Sequence, residues 1–416
     1  MSHNIFWFRN NLRIHDNYPL VQCIKDSTSI SFVYIANRHL RVLDGHENHK
    51  NKFLIDALNQ LKINLSDLGH ELYIIEGEPS DIFSSLAKQY QINKIYCEKI
   101  VSPYEKDEEL SITQTDVLSF WDSTLLNIDD LDFDVIDLPD TFTTFRKKVE
   151  LKPITATLHE GLTLPKPVNL SNINSYQLPN FDIKYRGSVD FLNHYTICEN
   201  GAQNYLKDYF ADTKAHKYKQ TRNELMGNEF STKFSVWLAH GLISARQIFT
   251  SLKNYEESNG ANESTYWILF ELLWRDYFRF LHFKYDKKLY FPYGLKNKEI
   301  NETSQDKISN LEEANTESSF INAGIKELKN SGFLSNRMRQ ILASFVIFEM
   351  KIDWRIGADF FQKYLIDFDI YSNQGNWIYI AGYGTDPRGG RRFNIEKQKN
   401  TYDIDNQYEM YWNENT

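Results

Sequence analysis

The chain has 416 residues, of which 41% are hydrophobic and 15% aromatic, and its formal net charge is -9 at pH 7. This length predicts two or three domains, each able to bury a core of its own. The acidic balance argues against a protein that coats nucleic acid over its whole surface, although a confined basic patch is compatible with it.

The cysteines and the N-terminus bear on the compartment. Cys23, Cys97 and Cys198 lie far apart, without the spacing of a zinc or iron–sulfur site. The first residues, MSHNIFWFRNNLRIHDNY, lack the features of a signal peptide, and no run of about 18 apolar residues could span a bilayer. We therefore expect a cytoplasmic protein without a membrane segment.

Residues 1–125 are predicted to form an α/β domain. The segments IFWF, ISFVYIA, ELYIIEG and KIYC have the pattern of buried strands, and KNKFLIDALNQLKINLSDL has helical periodicity. Strands separated by helices predict a parallel sheet. No G-x-G-x-x-G follows the first strand, so this Rossmann-like domain lacks the usual dinucleotide fingerprint.

The rest of the chain changes character twice. Residues 126–188 are rich in proline and asparagine and break every period, which is typical of an interdomain linker. From residue 189 to 416 helical patterns dominate and predict an all-α domain. The clearest are VDFLNHYTICENGAQNYLKDYF, STYWILFELLWRDYFRFLHFKY, SFINAGIKELKNSG and NRMRQILASFVIFEMKI, whereas NKEINETSQDKISNLEEANTESS is typical of a surface loop or frayed helix.

A first candidate site is a hydroxyl-rich segment that precedes the helical stretch VWLAHG. Ser231, Thr232 and Ser235, together with Lys233, would offer hydroxyls, backbone N–H groups and an ammonium to an anion. The alternative is that Ser231 or Thr232 only caps the helix.

A second candidate lies in the helical stretch FELLWRDYFRF. Glu271, Trp274 and Arg275 are spaced i, i+3 and i+4, so they share one helical face. Buried charges need partners, and a tryptophan beside them favours a pocket. An ordinary surface pair of Glu271 and Arg275 is the alternative.

A third candidate is the start of the helix in SNRMRQILASF. Gly332 can end the preceding helix and Ser335 can cap this one, which places Asn336, Arg339 and Gln340 on its first turn. The alternative is an ordinary cap followed by solvated arginines.

The segment LIDFDIYSNQGNW completes the set. Asp367 and Asp369 occupy alternate positions, and Asn373 and Trp377 are four apart if the chain is helical after Ser372. Asp367 could pair with Arg339 or Arg275. No histidine lies near these carboxylates in sequence, so we expect no metal site, and no hydrolase signature is present.

Taken together, these segments resemble the photolyase/cryptochrome family. The wording YWILFELLWRDYFRF, SNRMRQILASF, DWRIGADFFQKYLIDFDIYSNQGNWIYIAGYGTDPR and RRFNIEKQ is similar to its DASH cryptochrome branch, and IFWFRNNLRIHDN is similar to the N-terminal domain of the family. The resemblance implies an antenna-type α/β domain followed by a helical domain that binds FAD and DNA lesions.

For FAD, the resemblance implies two groups of residues. The phosphates and ribityl chain would be held by Tyr218, Ser231, Thr232, Lys233 and Ser235, and the isoalloxazine would be surrounded by Arg275, Arg339, Asp367, Asp369 and Asn373. A neutral amide at Asn373, expected beside N5 of the flavin, favours a lyase over a pure sensor.

The implied activity is light-driven repair of cyclobutane pyrimidine dimers, preferentially in single-stranded DNA, by electron transfer from reduced flavin. The lesion would meet Glu271, Asn336, Trp274, Gln340 and Tyr379. The (6-4) photolyases carry histidines at the positions of Asn336 and Gln340, so that activity is not expected. The alternative is a blue-light photoreceptor that binds DNA and repairs little, but the chain ends without the long tail that would favour it.

Further assignments follow from the same resemblance. DNA would contact Arg337, Arg222, Arg388, Arg391 and Arg392, with Lys219 as a further candidate, and the protein would be a monomer. Electrons would reach the flavin through Trp377 and Trp354, whereas Asn301 and Leu311 stand where further family tryptophans are expected. A methenyltetrahydrofolate antenna between the domains is expected to contact Glu105 and Lys284.

Overall fold

The N-terminal part of the chain forms a parallel sheet. The computed structural model describes residues 2–36, 47–161, 163–171, 173, 175–227 and 230–414. The strands are β1 His3–Phe8, β2 Ser29–Ala36, β3 Leu72–Glu76, β4 Ile92–Glu98, β5 Asp116–Phe120 and β6 Lys166–Pro167. Their order is β3-β2-β1-β4-β5, β6 pairs with β2, and every pairing is parallel. The predicted parallel α/β domain is confirmed; β5 and β6 are strands that the sequence pattern did not indicate.

Four helices cross between these strands. They are α1 Tyr18–Asp26, α2 His49–Asp67, α3 Pro79–Gln89 and α4 Pro103–Leu110. The predicted helix between the second and third strands corresponds to α2. Parallel strands joined in this way end at one edge of the sheet, where ligands commonly bind. At this edge Arg9, Tyr34 and Glu98 lie beside the helical part of the chain.

The segment 126–188 is more ordered than a linker of irregular composition suggests. It contains 3₁₀ turns at Ile128–Asp130 and Val135–Asp137, the helix α5 Phe142–Val149, and β6. It also packs on the sheet, since the backbone N–H of Tyr176 donates to the carbonyl of Ile74 at 2.6 Å. The domain boundaries themselves stay a prediction.

The second half is helical, as predicted. Its helices are α6 Glu199–Ala211, α7 Lys214–Thr221, α8 Phe234–Ala239, α9 Ala245–Asn259, α10 Glu263–Tyr285, α11 Gln305–Glu312, α12 Ser319–Ser331, α13 Asn336–Phe348, α14 Trp354–Tyr364, α15 Ile370–Ala381, α16 Ile395–Tyr402 and α17 Gln407–Glu414. The helix predicted from residue 189 is a 3₁₀ segment, Gly187–His194, followed by α6, because Cys198 is extended and caps α6. Of the helices described, none has the length and apolar character needed to cross a membrane.

A buried ion-pair network joins the two halves. Arg13 lies 2.7 Å from Asp122, Arg246 lies 2.8 Å from the other oxygen of Asp122, and Arg246 also lies 3.0 Å from Asp16. Two guanidinium groups thus face two carboxylates, all four of them buried. Breaking one member would leave an uncompensated buried charge, so the network holds the N-terminus of α9 at a fixed place on the α/β domain.

Candidate functional site

The helical half encloses a cavity of about 390 Å³, called here the helical-domain cavity. Fifteen residues that the sequence analysis singled out line it: Tyr218, Arg222, Ser231, Thr232, Ser235, Glu271, Trp274, Arg275, Asn336, Arg339, Gln340, Asp367, Asp369, Tyr379 and Arg391. They come from segments that stretch from Tyr218 to Arg391 in the sequence. The fold therefore brings together the candidates from all four segments, while their individual roles stay predictions.

The hydroxyl-rich segment forms one end of this cavity. Ser231 and Lys233 have left-handed φ values of 62° and 53°. The hydroxyls of Ser231 and Thr232 accept from the backbone N–H groups of Lys233 and Phe234, each at 3.4 Å. The hydroxyls that were predicted to face an anion therefore stand at the cavity wall, and two of them also stabilise the turn into α8.

Lys233 is a correction, because its side chain does not line this cavity. It is 1% exposed, its Nζ lies 3.5 Å from the ring centroid of Phe230, and it donates to the carbonyl of Gly227 at 3.3 Å. Its neighbours Thr232 and Phe234 do line the cavity. Burial lowers the pKa of Lys233 to about 7. The ammonium is thus buried among aromatic rings.

Arg275 and Arg279 place two guanidinium groups beside one carboxylate. Arg279, which the sequence analysis missed, donates to both oxygens of Asp369. Arg275 donates to the carbonyl of Ser123 and forms no ion pair within the described residues. Burial, with the charge of Arg279, lowers the pKa of Arg275 to about 9. Burial alone would raise the pKa of Asp369, but Arg279 and Arg275 lower it to about 2.

The charge of Arg275 is favoured by the nearby carboxylates of Asp369, Asp276 and Glu98, although none of them forms an ion pair with it among the described residues. A guanidinium that lines a cavity without such a pair is free to donate to acceptor atoms of a ligand such as the flavin. The helical spacing i, i+4 could have indicated Arg279, since it repeats the position of Arg275 one turn later on α10.

The Arg339–Asp367 pair also lines the helical-domain cavity. One Arg339 nitrogen lies 2.9 Å from both carboxylate oxygens of Asp367, and the Nε of Arg339 donates to the carbonyl of Leu334 at 2.9 Å. Ser335 caps α13 by accepting from the N–H of Met338, as predicted. The sequence left open whether Asp367 pairs with Arg339 or Arg275, and the partner is Arg339.

A smaller inner cavity adjoins this pair and is lined by Asn373 and Trp377. Helix α15 begins at Ile370, earlier than expected, because Asp369 caps it by accepting from the N–H of Ser372 at 2.7 Å. Asn373 donates through its amide nitrogen to the carbonyl of Ala358 at 3.0 Å. This bond fixes the amide so that its oxygen is the end left for a ligand.

Asn373→Asp is expected to lower the stability of the flavin-free protein. A carboxylate cannot donate to the Ala358 carbonyl, and placing two acceptors together in a part-buried site costs about 1–3 kcal/mol. The same change is expected to impair accumulation of fully reduced flavin. Denaturant unfolding and photoreduction spectra check the two effects. Asn330→Asp is the control, because the Asn330 amide also donates to a carbonyl, that of Lys326, but lines neither the inner nor the helical-domain cavity. Unchanged spectra would contradict the placement of Asn373 beside the flavin ring.

An aromatic wall forms the mouth of the helical-domain cavity. The indole of Trp274 stacks on Phe142 with centroids 3.8 Å apart and planes 12° from parallel, and it meets Tyr379 edge-on at 5.8 Å. Phe142 belongs to α5, within the predicted linker, and was missed. Phe278 also packs on this indole, with centroids 5.3 Å apart and planes 35° from parallel, and the indole lines the cavity between these rings.

Polar groups surround this wall. Glu271 lies 2.7 Å from Arg222, and Arg391 donates to the Tyr379 hydroxyl at 2.8 Å. Gln340 donates weakly to Asn336 at 3.4 Å. The mouth thus combines a carboxylate, amides and an aromatic face, which suits a planar ligand with hydrogen-bonding edges.

The residues predicted to contact DNA are held to different degrees. Arg222 and Arg391 belong to the cavity wall, and Arg337 donates to Asn223 at 3.1 Å. Arg392 pairs with Glu349 at the surface, Arg388 is exposed, and Lys219 pairs with Glu263. A basic rim is therefore present near the mouth, although most of its members already have partners.

The predicted tryptophan route is buried. Trp377 is 2% exposed and its Nε1 has no hydrogen-bond partner among the described residues. Trp354 begins α14 and donates to the carbonyl of Pro292 at 3.2 Å. A Cβ on Gly357 would lie 2.3 Å from the Trp377 ring, so the absence of a side chain there lets the indole pack on α14.

Beyond Trp354 the expected indoles are replaced by residues with structural contacts. Asn301 donates to the carbonyls of Ile347 and Ile352, and Leu311 on α11 is 1% exposed. The polar segment predicted as a loop or frayed helix therefore contains a short helix whose Leu311 reaches the core.

A second cavity, of about 520 Å³, lies between the sheet edge and the helical half and is called the interdomain cavity. Glu105 lines it, as expected for an antenna ligand. Lys284 does not line this cavity, which corrects the expectation that it contacts the antenna there. Its ammonium donates to Asp140 at 2.6 Å and to the carbonyl of Leu138. Lys284 follows the last turns of α10 toward α5, away from the sheet edge. Residues that sequence reasoning missed here include Trp7, Arg9, Lys50, Tyr290 and Arg355.

Known proteins share both halves of this architecture. The family model described as the FAD binding domain of DNA photolyase matches residues 267–414, and the model described as DNA photolyase matches residues 4–166. Cryptochrome DASH, chloroplastic/mitochondrial, of Oryza sativa subsp. japonica is 37% identical over 98% of this chain and 76% of its own length. Cryptochrome DASH of Synechocystis sp. is 36% identical over 98% of this chain and 86% of its own length.

Solved structures agree. A crystal structure of a Synechocystis sp. cryptochrome matches with a TM-score of 0.91 at 34% identity, over 99% of this chain and 88% of that chain. A bacterial class III photolyase from Agrobacterium tumefaciens has the same fold, with a TM-score of 0.82 at 22% identity over 99% and 86% of the two chains. The fold and the match to the FAD-binding domain model identify a two-domain protein whose helical half is an FAD-binding domain. Arg275 and Arg279, which lie beside Asp369, are part of that half. The chain belongs to the photolyase/cryptochrome family, in its DASH cryptochrome branch.

Proposed function

We propose that this protein is a light-driven lyase that splits cyclobutane pyrimidine dimers, preferentially in single-stranded DNA. The observation that carries the proposal is one continuous cavity. Its inner end has the charged residues suited to FAD, Arg275, Asp369 and the Arg339–Asp367 pair, and its mouth has the wall of Trp274 and Tyr379. A lesion and a flavin could therefore meet without an intervening layer of protein.

In this proposal the chain positions and the cofactor reacts. When bound, reduced FAD supplies the electron that light transfers to the dimer. Trp274, backed by Phe142, lines the cavity where the flipped bases would pack, and Glu271 and Asn336 hold their polar edges. No nucleophile or metal is then needed.

The preference for single strands rests on the cost of extruding a lesion. Taking a base pair out of a duplex costs a few kcal/mol, and less when the strand is already unpaired. Arg222 pairs with Glu271 and Lys219 with Glu263, so these cations are not free to hold two DNA backbones apart. A substrate that needs no opening fits this mouth best.

The test is blue-light repair by the purified, reduced holoprotein. One oligonucleotide carrying a single dimer is compared with the same oligonucleotide annealed to its complement, with dark samples as controls. Repair of the single strand alone is expected. Equal repair of both would contradict the preference, and no repair despite bound reduced FAD would favour the alternative, a blue-light photoreceptor.

Glu271→Ala is expected to lower the repair yield while FAD stays bound. The carboxylate stands at the mouth beside Arg222, and its loss leaves that guanidinium unpaired. The variant also loses a hydrogen bond to the dimer, which should lower the affinity for the dimer by about 0.5–1.5 kcal/mol. Glu271→Gln, which keeps a hydrogen-bonding side chain, should retain more activity. Repair yield per photon and FAD absorbance are measured together. Loss of FAD in this variant would instead mean that Glu271 contacts the cofactor.

Two further assignments belong to the same proposal. Methenyltetrahydrofolate is the proposed antenna, in the interdomain cavity with Glu105 at its wall. A reducing, cytoplasmic location is proposed because Cys23, Cys97 and Cys198 are all free and buried. A monomer is proposed as well. Reconstitution with the folate, followed by excitation transfer to FAD, tests the first, and Glu105→Gln should weaken folate binding.

A further inference from the structure

Tyr290 and His282 form a phenol–imidazole pair that the proposed repair does not use. The Oη of Tyr290 lies 3.1 Å from Nε2 of His282, and Nδ1 of His282 lies 2.8 Å from the carbonyl oxygen of Phe278. A carbonyl oxygen only accepts, so Nδ1 carries the imidazole proton. Nε2 is therefore unprotonated and accepts the hydroxyl proton of Tyr290.

The surroundings keep His282 neutral and able to take up a proton. His282 is 1% exposed, and burial lowers its pKa to about 4. The ring of Tyr371 lies edge-on to the imidazole at 4.8 Å. The carboxylates of Asp369 and Asp286 favour the protonated form and the guanidinium of Arg279 disfavours it, so an imidazolium produced here would be partly compensated by the two carboxylates.

The pair stands next to the predicted flavin ring site. Tyr290 lines the interdomain cavity, as do Asp369 and Asn373. Asp369 and Asn373 also line the inner cavity, together with Trp377. The phenol thus lines the same cavity as two residues that also line the inner cavity.

The chain also lacks oxidisable residues where its family has them. Asn301 and Leu311 occupy the positions of the expected outer tryptophans, and neither an amide nor an aliphatic side chain gives up an electron readily. Tyr290, which lines the interdomain cavity and is already hydrogen-bonded to the His282 imidazole, would supply the missing electron donor.

We propose that Tyr290 is a proton-coupled electron donor to photoexcited, oxidised FAD. One electron passes from the Tyr290 ring to the flavin, the Oη–H bond breaks, and the proton moves to Nε2 of His282. Tyr290 becomes a neutral tyrosyl radical and His282 an imidazolium, while the flavin gains one electron. An external one-electron reductant then restores Tyr290 as the proton returns from His282.

A second phenol–imidazole pair provides a matched control. Tyr255 Oη lies 3.0 Å from Nδ1 of His216, whose Nε2 lies 2.9 Å from the carbonyl oxygen of Gly260. By the same reasoning, Nδ1 of His216 is the acceptor. Tyr255 lines neither the inner nor the interdomain cavity, so it has the same chemistry without the location.

The experiment is electron paramagnetic resonance of oxidised holoprotein frozen under blue light. A Trp377→Phe background removes the signal of the indole that lines the inner cavity. A tyrosyl signal is expected in this parent protein, its loss in Tyr290→Phe, and its retention in Tyr255→Phe. His282→Gln should also lose it, because glutamine accepts the hydrogen bond but not the proton. Each variant is compared at equal FAD content.

A measurement on the flavin-free protein makes the test independent of photochemistry. Nitrogen NMR of His282 at pH 7 is expected to show a neutral ring protonated at Nδ1. The proposal is overturned by a protonated or opposite tautomer, by no tyrosyl signal in the parent, by a signal that survives Tyr290→Phe, or by equal loss in Tyr255→Phe. No DNA is present, so failure of the repair proposal leaves these results interpretable.

Discussion

Arg275→Gln is expected to yield a folded protein that binds FAD weakly. Arg275 faces the helical-domain cavity without an ion pair, next to Arg279, whose charge Asp369 already neutralises. A hydrogen bond from a charged donor to the flavin contributes about 1.5–3 kcal/mol, so losing it should weaken FAD binding by about 10- to 150-fold. Fluorescence titration of the flavin-free protein with FAD measures this.

The same change should have the opposite effect on the flavin-free protein. Burial lowers the pKa of Arg275 to about 9, which means that the charged form is held there at a cost. Removing an uncompensated charge from a partly buried site should raise the free energy of unfolding by about 1 kcal/mol. Lower stability together with lost FAD binding would mean that Arg275 is a structural residue.

Arg391→Gln is the matched control for the FAD titration. Arg391 lines the same cavity, but at the mouth, where it donates to the Tyr379 hydroxyl. This variant should bind FAD normally and bind dimer-containing DNA less well. Equal loss of FAD in both variants would show that any arginine of the cavity supports the flavin, and that the unpaired state of Arg275 is not the cause.

The parts of the site that the sequence could predict are those where local spacing decides. Glu271, Trp274 and Arg275 lie on one face of α10 because the helical period requires it, and Ser335 caps α13 as its position before a helical stretch indicated. For Asp367, only the choice of its partner, Arg339 or Arg275, required the tertiary structure.

What escaped prediction depends on the backbone or on distant contacts. Ser231, Thr232 and Ser235 line the cavity, whereas the side chain of Lys233 between them is buried against Phe230, and no local pattern predicts that difference. Phe142 stacks on Trp274 from 132 positions away in sequence, within a segment whose prolines concealed an eight-residue helix. Lys284 lies at the end of α10, where its partner Asp140 decides its direction.

Trp377→Phe is expected to lose most of its light-driven flavin reduction while keeping its fold. Trp377 lines the inner cavity and its Nε1 is unbonded within the described structure, so phenylalanine loses an oxidisable ring but no hydrogen bond. The smaller ring should lower the free energy of unfolding by about 1–3 kcal/mol. Rates of FAD photoreduction with an external reductant measure the effect.

Trp237→Phe separates loss of the redox group from loss of packing. Trp237 is also buried in the helical half with an unbonded Nε1, but it packs on Phe53 and Tyr205 and lines neither the helical-domain nor the inner cavity. It should show a similar loss of stability and normal photoreduction. Residual reduction in Trp377→Phe is then expected to depend on Tyr290, because the phenol is the remaining oxidisable group proposed at this wall. If Trp377→Phe reduced its flavin at the normal rate, electrons would have to enter without the indole, and the contact of that ring with Gly357 on α14 would be a matter of packing alone.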